Sequence, residues 1–176
     1  MLERVKKRID RLLELVLIFL MGANVLNVLW QVFTRFVLKD PSSFTEELAR
    51  FLLIWVGLFG ASYAAGKKMH LAIDVVLQTL KDKKRVGAEI VIQAFIFLFS
   101  LFVMVVGGMR LVAITLTLNQ ISAALRIKLG YVYFALPLSG LLIMFYASVF
   151  IIERLQALSG KRLADEAVAV ERQEGI

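Results

Sequence analysis

Cysteine is absent from the 176 residues, proline occurs twice and histidine once. Without thiols the chain forms no disulfide, no cysteine-ligated metal site and no iron–sulfur cluster. With His70 as its one imidazole it cannot supply two axial ligands to a haem. Charge is also scarce: 20% of residues are Asp, Glu, Lys or Arg against 60% apolar or aromatic, and the mean hydropathy is +0.79. A soluble domain needs more charge than this to cover its surface. The charges are gathered as well as few. Segments 15–34, 51–66, 90–109, 111–125 and 129–152 contain none, leaving uncharged runs of 20, 16, 20, 15 and 24 residues. Roughly 20 apolar residues cross a hydrocarbon core of about 30 Å. The sequence therefore reads as an all-α integral membrane protein, which excludes a soluble enzyme and a cytosolic nucleic-acid-binding module. The net charge of +7 does not argue otherwise, because the basic residues border the apolar runs, where a membrane protein places them.

Four transmembrane helices are expected, at about 12–36, 44–66, 88–110 and 129–152, within one domain over 1–160 followed by a polar tail over 161–176, a frayed helix or disordered segment. The first run is basic at its front like a signal peptide. It is too long for one, however, and carries Asn24, Asn27, Trp30 and Gln31 without a convincing cleavage site, so it reads as a retained span. Pro41 disfavours helix at Asp40, and Ser43 with Glu46 forms a capping-box pattern that starts span two. Gly66 before Lys67 and Lys68 reads as its C-cap. Segment 111–125 is too short for a fifth span and suits an extension of helix three or a re-entrant piece. Pro137 lies inside span four and predicts a local kink. Two short amphipathic interfacial helices are also expected. One carries Leu2, Val5, Ile9, Leu12 and Leu13 on its apolar face; the other covers about 70–81, with His70, Asp74, Gln78 and Lys81 opposite Ile73, Val76, Leu77 and Leu80. Their basic groups suit contact with anionic phospholipid. Lys and Arg number 15 in segments 1–14, 67–89 and 153–176 against 6 in 35–50 and 110–128, which places both termini in the cytoplasm.

Within the spans, Asn24, Asn27, Gln31 and Thr34 repeat at helical spacing and should face protein rather than lipid. Interhelical hydrogen bonding, a solute path and contact with another subunit all remain open to this stripe. Gly57, Ala61 and Ala65, with Gly60 and Ala64 alongside, allow another helix to approach closely, whether span one, span three or a foreign helix. Glu46 and Glu47 both stand within reach of Arg50, at i,i+4 and i,i+3, as an anchoring salt bridge or an interchain contact. No acidic or basic group occupies the middle of any span, which makes the chain a poor carrier by itself. His70 beside Asp74 suits a local hydrogen bond better than a metal site. No nucleophile–base pair, metal constellation or phosphate loop is apparent, so the chain is not expected to be an enzyme.

The stretches Asn27-Val-Leu-Trp-Gln-Val-Phe-Thr-Arg35, Phe44-Thr-Glu-Glu-Leu-Ala-Arg50, Trp55, Gly60 and Lys67-Lys-Met-His-Leu-Ala-Ile-Asp74 follow one another in order. Gln120-Ile-Ser-Ala-Ala-Leu-Arg and Tyr133-Phe-Ala-Leu-Pro137-Leu-Ser-Gly140 come later. Together they resemble the DctQ-like small membrane subunit of tripartite ATP-independent periplasmic (TRAP) transporters, over about residues 10–152. One departure is Phe44, where that family often has tryptophan.

The resemblance implies a bacterial inner-membrane complex in which a periplasmic substrate-binding protein captures an organic anion of the sialic acid or C4-dicarboxylate class. A large multi-span subunit then moves the anion inward with sodium. The small subunit would support that large subunit and help dock the binding protein, holding no cofactor or metal of its own, with sodium bound by the large partner. Arg35, Glu46, Glu47, Arg50, Trp55, Gly57, Gly60, Ala61, His70, Asp74 and Pro137 become candidate structural or subunit-interface residues. A homo-oligomeric carrier or channel lined by the Asn24–Gln31 stripe is the alternative, with a membrane anchor for a redox enzyme behind it.

Overall fold

The computed structural model describes residues 2–40, 42–67 and 82–174. Among these residues every regular element is a helix. Helix α1 (Leu2–Phe33) runs without a break into a π-helical turn, Thr34–Leu38. It ends where Lys39 takes a left-handed φ of 55° and the Asp40 amide donates back to the Thr34 carbonyl at 3.2 Å. After α2 (Ser43–Gly66) comes α3 (Asp82–Phe99), which continues through a π-helical stretch, Ser100–Gly107, into α4 (Gly108–Thr117). Helices α5 (Leu129–Tyr133) and α6 (Ala135–Glu174) complete the chain.

Four stretches are long and apolar enough to cross a membrane: Arg4–Leu38, Ser43–Gly66, Gly87–Thr117 and Leu129–Gln156. Each contains one expected span. Segment 111–125 divides: helix three carries on to Thr117, and the remainder forms a loop closed by an antiparallel bridge between Ile121 and Lys128. Pro137 acts as its chemistry requires. It offers no amide to the Tyr133 carbonyl, and the helix is interrupted at Phe134, between α5 and α6.

Three expectations are corrected. The amphipathic segment ending at Leu13 is not a separate interfacial helix but the outer part of α1. No glycine or proline occurs between residues 2 and 21 to interrupt it, and Leu13, only 5% exposed, docks against Phe59 and Tyr146. The Ser43–Glu46 capping box does not form. Ser42 takes the N-cap position, so Thr45 rather than Glu46 stands three residues on, and its hydroxyl donates to the Ser42 carbonyl at 2.8 Å. Gly66 is the last residue of α2 rather than a left-handed cap, and Lys67 follows at a φ of −87°. What Gly66 provides is closeness: a Cβ there would lie 2.7 Å from the Tyr146 ring. The other expected interfacial helix, at 70–81, lies outside the described residues together with His70 and Asp74. The polar C-terminal segment, as far as Glu174, continues α6 as helix.

The spans pack in the order one, two, four, three: α1 lies along α2, α2 along α6, and α6 along α3 and its π-helical continuation. This is an open row, with spans one and three at its ends and exposed along most of their length. Lipid tails are as apolar as leucine, so close van der Waals fit rather than apolar burial selects such contacts. Small residues provide that fit. A Cβ on Gly140 would meet Met104 at 2.7 Å, and one on Gly108 would meet Pro137 at 3.0 Å. Between spans one, two and four the core is Leu13, Phe59 and Tyr146, flanked by Ile9, Trp55 and Tyr63.

Candidate functional site

Two sets of residues stand out on α2, one gathered by a carboxylate and one left open. Glu47 lies one turn into the helix, where its Oε2 accepts hydrogen bonds from the Ser122 hydroxyl and the Ala124 and Leu125 amides, each at 2.8 Å. Two successive amides and a hydroxyl converging on one ionised oxygen form a charge-assisted cage. The loop between Thr117 and Leu129 is thereby fastened over the first turn of α2. Its own geometry assists. Asn119 and Arg126 take positive φ values of 48° and 53°, and Leu129 donates to the Gln120 carbonyl at 3.0 Å.

Sequence spacing offers both acidic residues to Arg50, and the structure separates them. Glu47 turns to the loop, while Glu46 Oε1 meets Arg50 Nη2 at 3.5 Å with both side chains about two-thirds exposed. An ion pair this open contributes little to stability. Of the polar stripe of span one, Asn27 alone reaches another helix among the described residues, and Asn24 Oδ1 is buried without a hydrogen-bond partner. Asn27 Nδ2 donates to the Thr45 carbonyl at 2.7 Å, and the Thr34 hydroxyl donates to Gln31 within its own helix at 3.0 Å. Asn27 thus ties span one to the start of α2 by an interhelical hydrogen bond.

Gly57, Gly60 and Ala61 face the other way. Gly57 and Ala61 are exposed, and no atom lies within 4 Å of a Cβ built on Gly57 or Gly60. Helix α2 packs through its opposite side, where Phe59 joins Leu13 and Tyr146 with Trp55 packed against that cluster, and the Ser62 hydroxyl reaches the Ser139 carbonyl at 3.2 Å. Trp55 is therefore an internal packing residue. The small-residue stripe is used by neither span one nor span three. Arg35 is exposed at the end of span one and makes no ion pair among the described residues. Pro137 packs against Gly108, away from these groups.

Sequence reasoning missed two charged junctions at the other end of the bundle. Asp10 accepts a 2.6 Å hydrogen bond from the Tyr146 hydroxyl and lies 3.5 Å from Lys67 Nζ, joining spans one, two and four. Asp10, and after it Tyr63, whose ring centroid is 5.2 Å from Nζ, holds the Lys67 ammonium protonated above its usual range. Glu89, only 7% exposed, meets Arg154 Nε at 2.8 Å and joins spans three and four. The available signal was positional: each acid stands at the edge of an apolar run, where burial against a neighbouring helix is most costly for an unpaired charge.

A four-span helical membrane protein with a fastened loop at one end and an unpartnered helix face is the class these features define. Its lineage is equally definite. The family model described as "Tripartite ATP-independent periplasmic transporters, DctQ component" matches residues 24–157, and the chain belongs to this family. It is similar to the sialic acid TRAP transporter small permease protein SiaQ of Vibrio cholerae serotype O1, 28% identical over 144 residues that make up 82% of each chain. It is also similar to the C4-dicarboxylate TRAP transporter small permease protein DctQ of the same organism, 26% identical over 58% of this chain and 44% of that one. A third relative is the sialic acid TRAP transporter permease protein SiaT of Haemophilus influenzae, 30% identical over 65% of this chain but only 18% of its own length. In that protein the matching segment is part of a much longer permease. The matched region holds Asn27, Glu47, the Gly57–Ala61 face, Glu89 and Arg154, and leaves out Asp10.

Proposed function

We propose that this chain is a non-catalytic companion of a large multi-span subunit in a sodium-coupled transporter that takes up organic anions of the sialic acid or C4-dicarboxylate class. The open face of α2 carries the reading. Gly57, Gly60 and Ala61 expose backbone on the side opposite to the helix's own packing, which is the surface a foreign transmembrane helix needs for close approach. The anion classes are those in the names of SiaQ and DctQ, and the long SiaT chain supports a permanent association between the small segment and a larger permease. Sodium and any cofactor are assigned elsewhere than this chain, because no Asp, Glu, Lys, Arg or His lies in the uncharged runs of its spans.

The 15-to-6 distribution of Lys and Arg supports an inner-membrane orientation with both termini cytoplasmic. On that orientation Arg35, the Glu46–Arg50 pair and the loop fastened by Glu47 share the periplasmic side. They then form a rigid surface for transient docking of the periplasmic binding protein.

Mild-detergent purification of the tagged chain from cells expressing the whole transporter tests the reading. One much larger multi-span protein should copurify in equal amount, and Ala61→Leu should release it while leaving the chain's own helices folded. Recovery of the chain with itself alone would point to a homo-oligomeric carrier instead.

A further inference from the structure

The part of α1 that precedes the uncharged run carries Arg4, Lys7, Arg8 and Arg11, all exposed and none in an ion pair among the described residues. Arg4, Arg8 and Arg11 begin a ridge that continues at helical spacing through Leu15, Ile18, Gly22 and Val25. Those apolar members are exposed too, at 60% for Leu15, 64% for Ile18 and 51% for Val25. The opposite side of α1 is occupied by Ile9 and Leu13 in the core, so the ridge faces outward. Along it runs an open groove of about 680 Å³ formed by Ile18, Met21, Gly22 and Val25 with Val56 of α2. Gly22 deepens the groove, since nothing lies within 4 Å of where its Cβ would be.

Length and charge together specify an occupant. From Leu17 to Leu26 the groove extends about 14 Å at 1.5 Å per residue, close to half of a hydrocarbon core about 30 Å thick, the depth of one leaflet. Arg11 stands about 9 Å beyond its end, toward the polar boundary. A cationic cluster at the boundary with an apolar channel one leaflet deep below it complements a molecule with an anionic head and a hydrocarbon tail. We infer that the ridge binds an anionic phospholipid, with its phosphate at Arg8 and Arg11 and one acyl chain along the groove past Gly22. A foreign protein helix in the same groove would leave the cations above it without counter-charges unless it brought its own carboxylates, whereas an anionic lipid brings the charge with the chain. The site requires neither the transport role nor a particular side of the membrane.

Native mass spectrometry of the full chain in mild detergent, with added palmitoyl-oleoyl phosphatidylglycerol, phosphatidylcholine of the same chains, or glycerol phosphate, is the test. Phosphatidylglycerol should be retained roughly tenfold more strongly than phosphatidylcholine, as two arginines near a phosphate warrant. Arg8→Gln with Arg11→Gln should abolish the preference, Gly22→Leu should weaken retention of both lipids, and glycerol phosphate should not bind. Equal retention of the two lipids, an unchanged preference in the arginine variant, or retention of glycerol phosphate would overturn the inference. A photo-crosslinking residue placed at Ile18 in whole cells guards against misfolded variants: a phospholipid adduct supports the site, and a protein adduct overturns it.

Discussion

The carboxylate of Glu47 on α2 and the hydroxyl of Ser122 in the loop after α4 meet at 2.8 Å across 75 positions of sequence. The Ala124 and Leu125 amides share the same oxygen, so one side chain adds three long-range hydrogen bonds to a loop that also closes on itself through its Ile121–Lys128 bridge and the Arg126 amide on the Ser122 carbonyl. Arg50, the neighbour that spacing alone suggests for Glu47, pairs with Glu46 instead.

Replacing Glu47 by alanine leaves two amides and a hydroxyl without their acceptor. Hydrogen exchange at Ala124 and Leu125 should accelerate roughly tenfold in Glu47→Ala. It should stay unchanged in Glu46→Ala, whose partner lies on the other face. Equal exchange in the two variants would show that the loop holds itself.

Glycines on the two sides of α2 should respond in opposite ways. Gly66→Ala places a methyl 2.7 Å from the Tyr146 ring and should destabilise the chain by about 1–3 kcal/mol in a thermal melt in detergent. Gly57→Ala, which meets nothing within 4 Å, should raise the melt of the isolated chain slightly, by up to about 1 kcal/mol, because alanine is the better helix former.

The two ion pairs differ in the same manner. Arg154→Ala removes an ion-pair partner at 2.8 Å from the nearly buried carboxylate of Glu89 and should lower the melting temperature of the isolated chain. Arg50→Ala breaks only an open pair, so the isolated chain should melt as before. In the assembled transporter Arg50→Ala should lower uptake and complex yield together; full uptake and full yield would remove Arg50 from the interface.

Alkaline stability offers a further check. Because Asp10 raises the Lys67 pKa above its ordinary 10.5, the stabilisation from this contact is complete below pH 10.5 and disappears as pH rises through the folded-state value. Thermal melts of wild type and Lys67→Met should therefore differ by a constant amount from pH 7 to 10 and converge above that range. A difference that faded near neutrality would contradict the assignment.

Much of the fold was written in charge spacing. The uncharged runs locate four spans because hydrocarbon tolerates so few ionised groups, and the Gly57–Ala61 stripe is legible because small residues are the common means of close helix contact in lipid. The order of the spans was not legible: all four are apolar around most of their circumference, and nothing in such a surface states which neighbour it meets. Gly66 looks like a cap because a lysine pair follows it, and only the distant Tyr146 reveals its use. Asp10 is hidden between Arg8 and Arg11, where local pairing is the simplest reading, although its partners are Lys67 and Tyr146. Spacing marks Glu47 as a candidate, but its partners come from a loop whose path hydropathy does not encode.

The absence of cysteine makes the most direct measurement a clean one, because each introduced thiol is unique in the chain. Ala61→Cys on the open face of α2 and Phe95→Cys on the exposed face of α3 would each be labelled with a photoactivatable maleimide in membranes containing the whole transporter. Ala61→Cys should yield one adduct with the large subunit, and Phe95→Cys should yield none. Adducts only with a second copy of the chain, or equal yields from the two positions, would contradict α2 as the docking face.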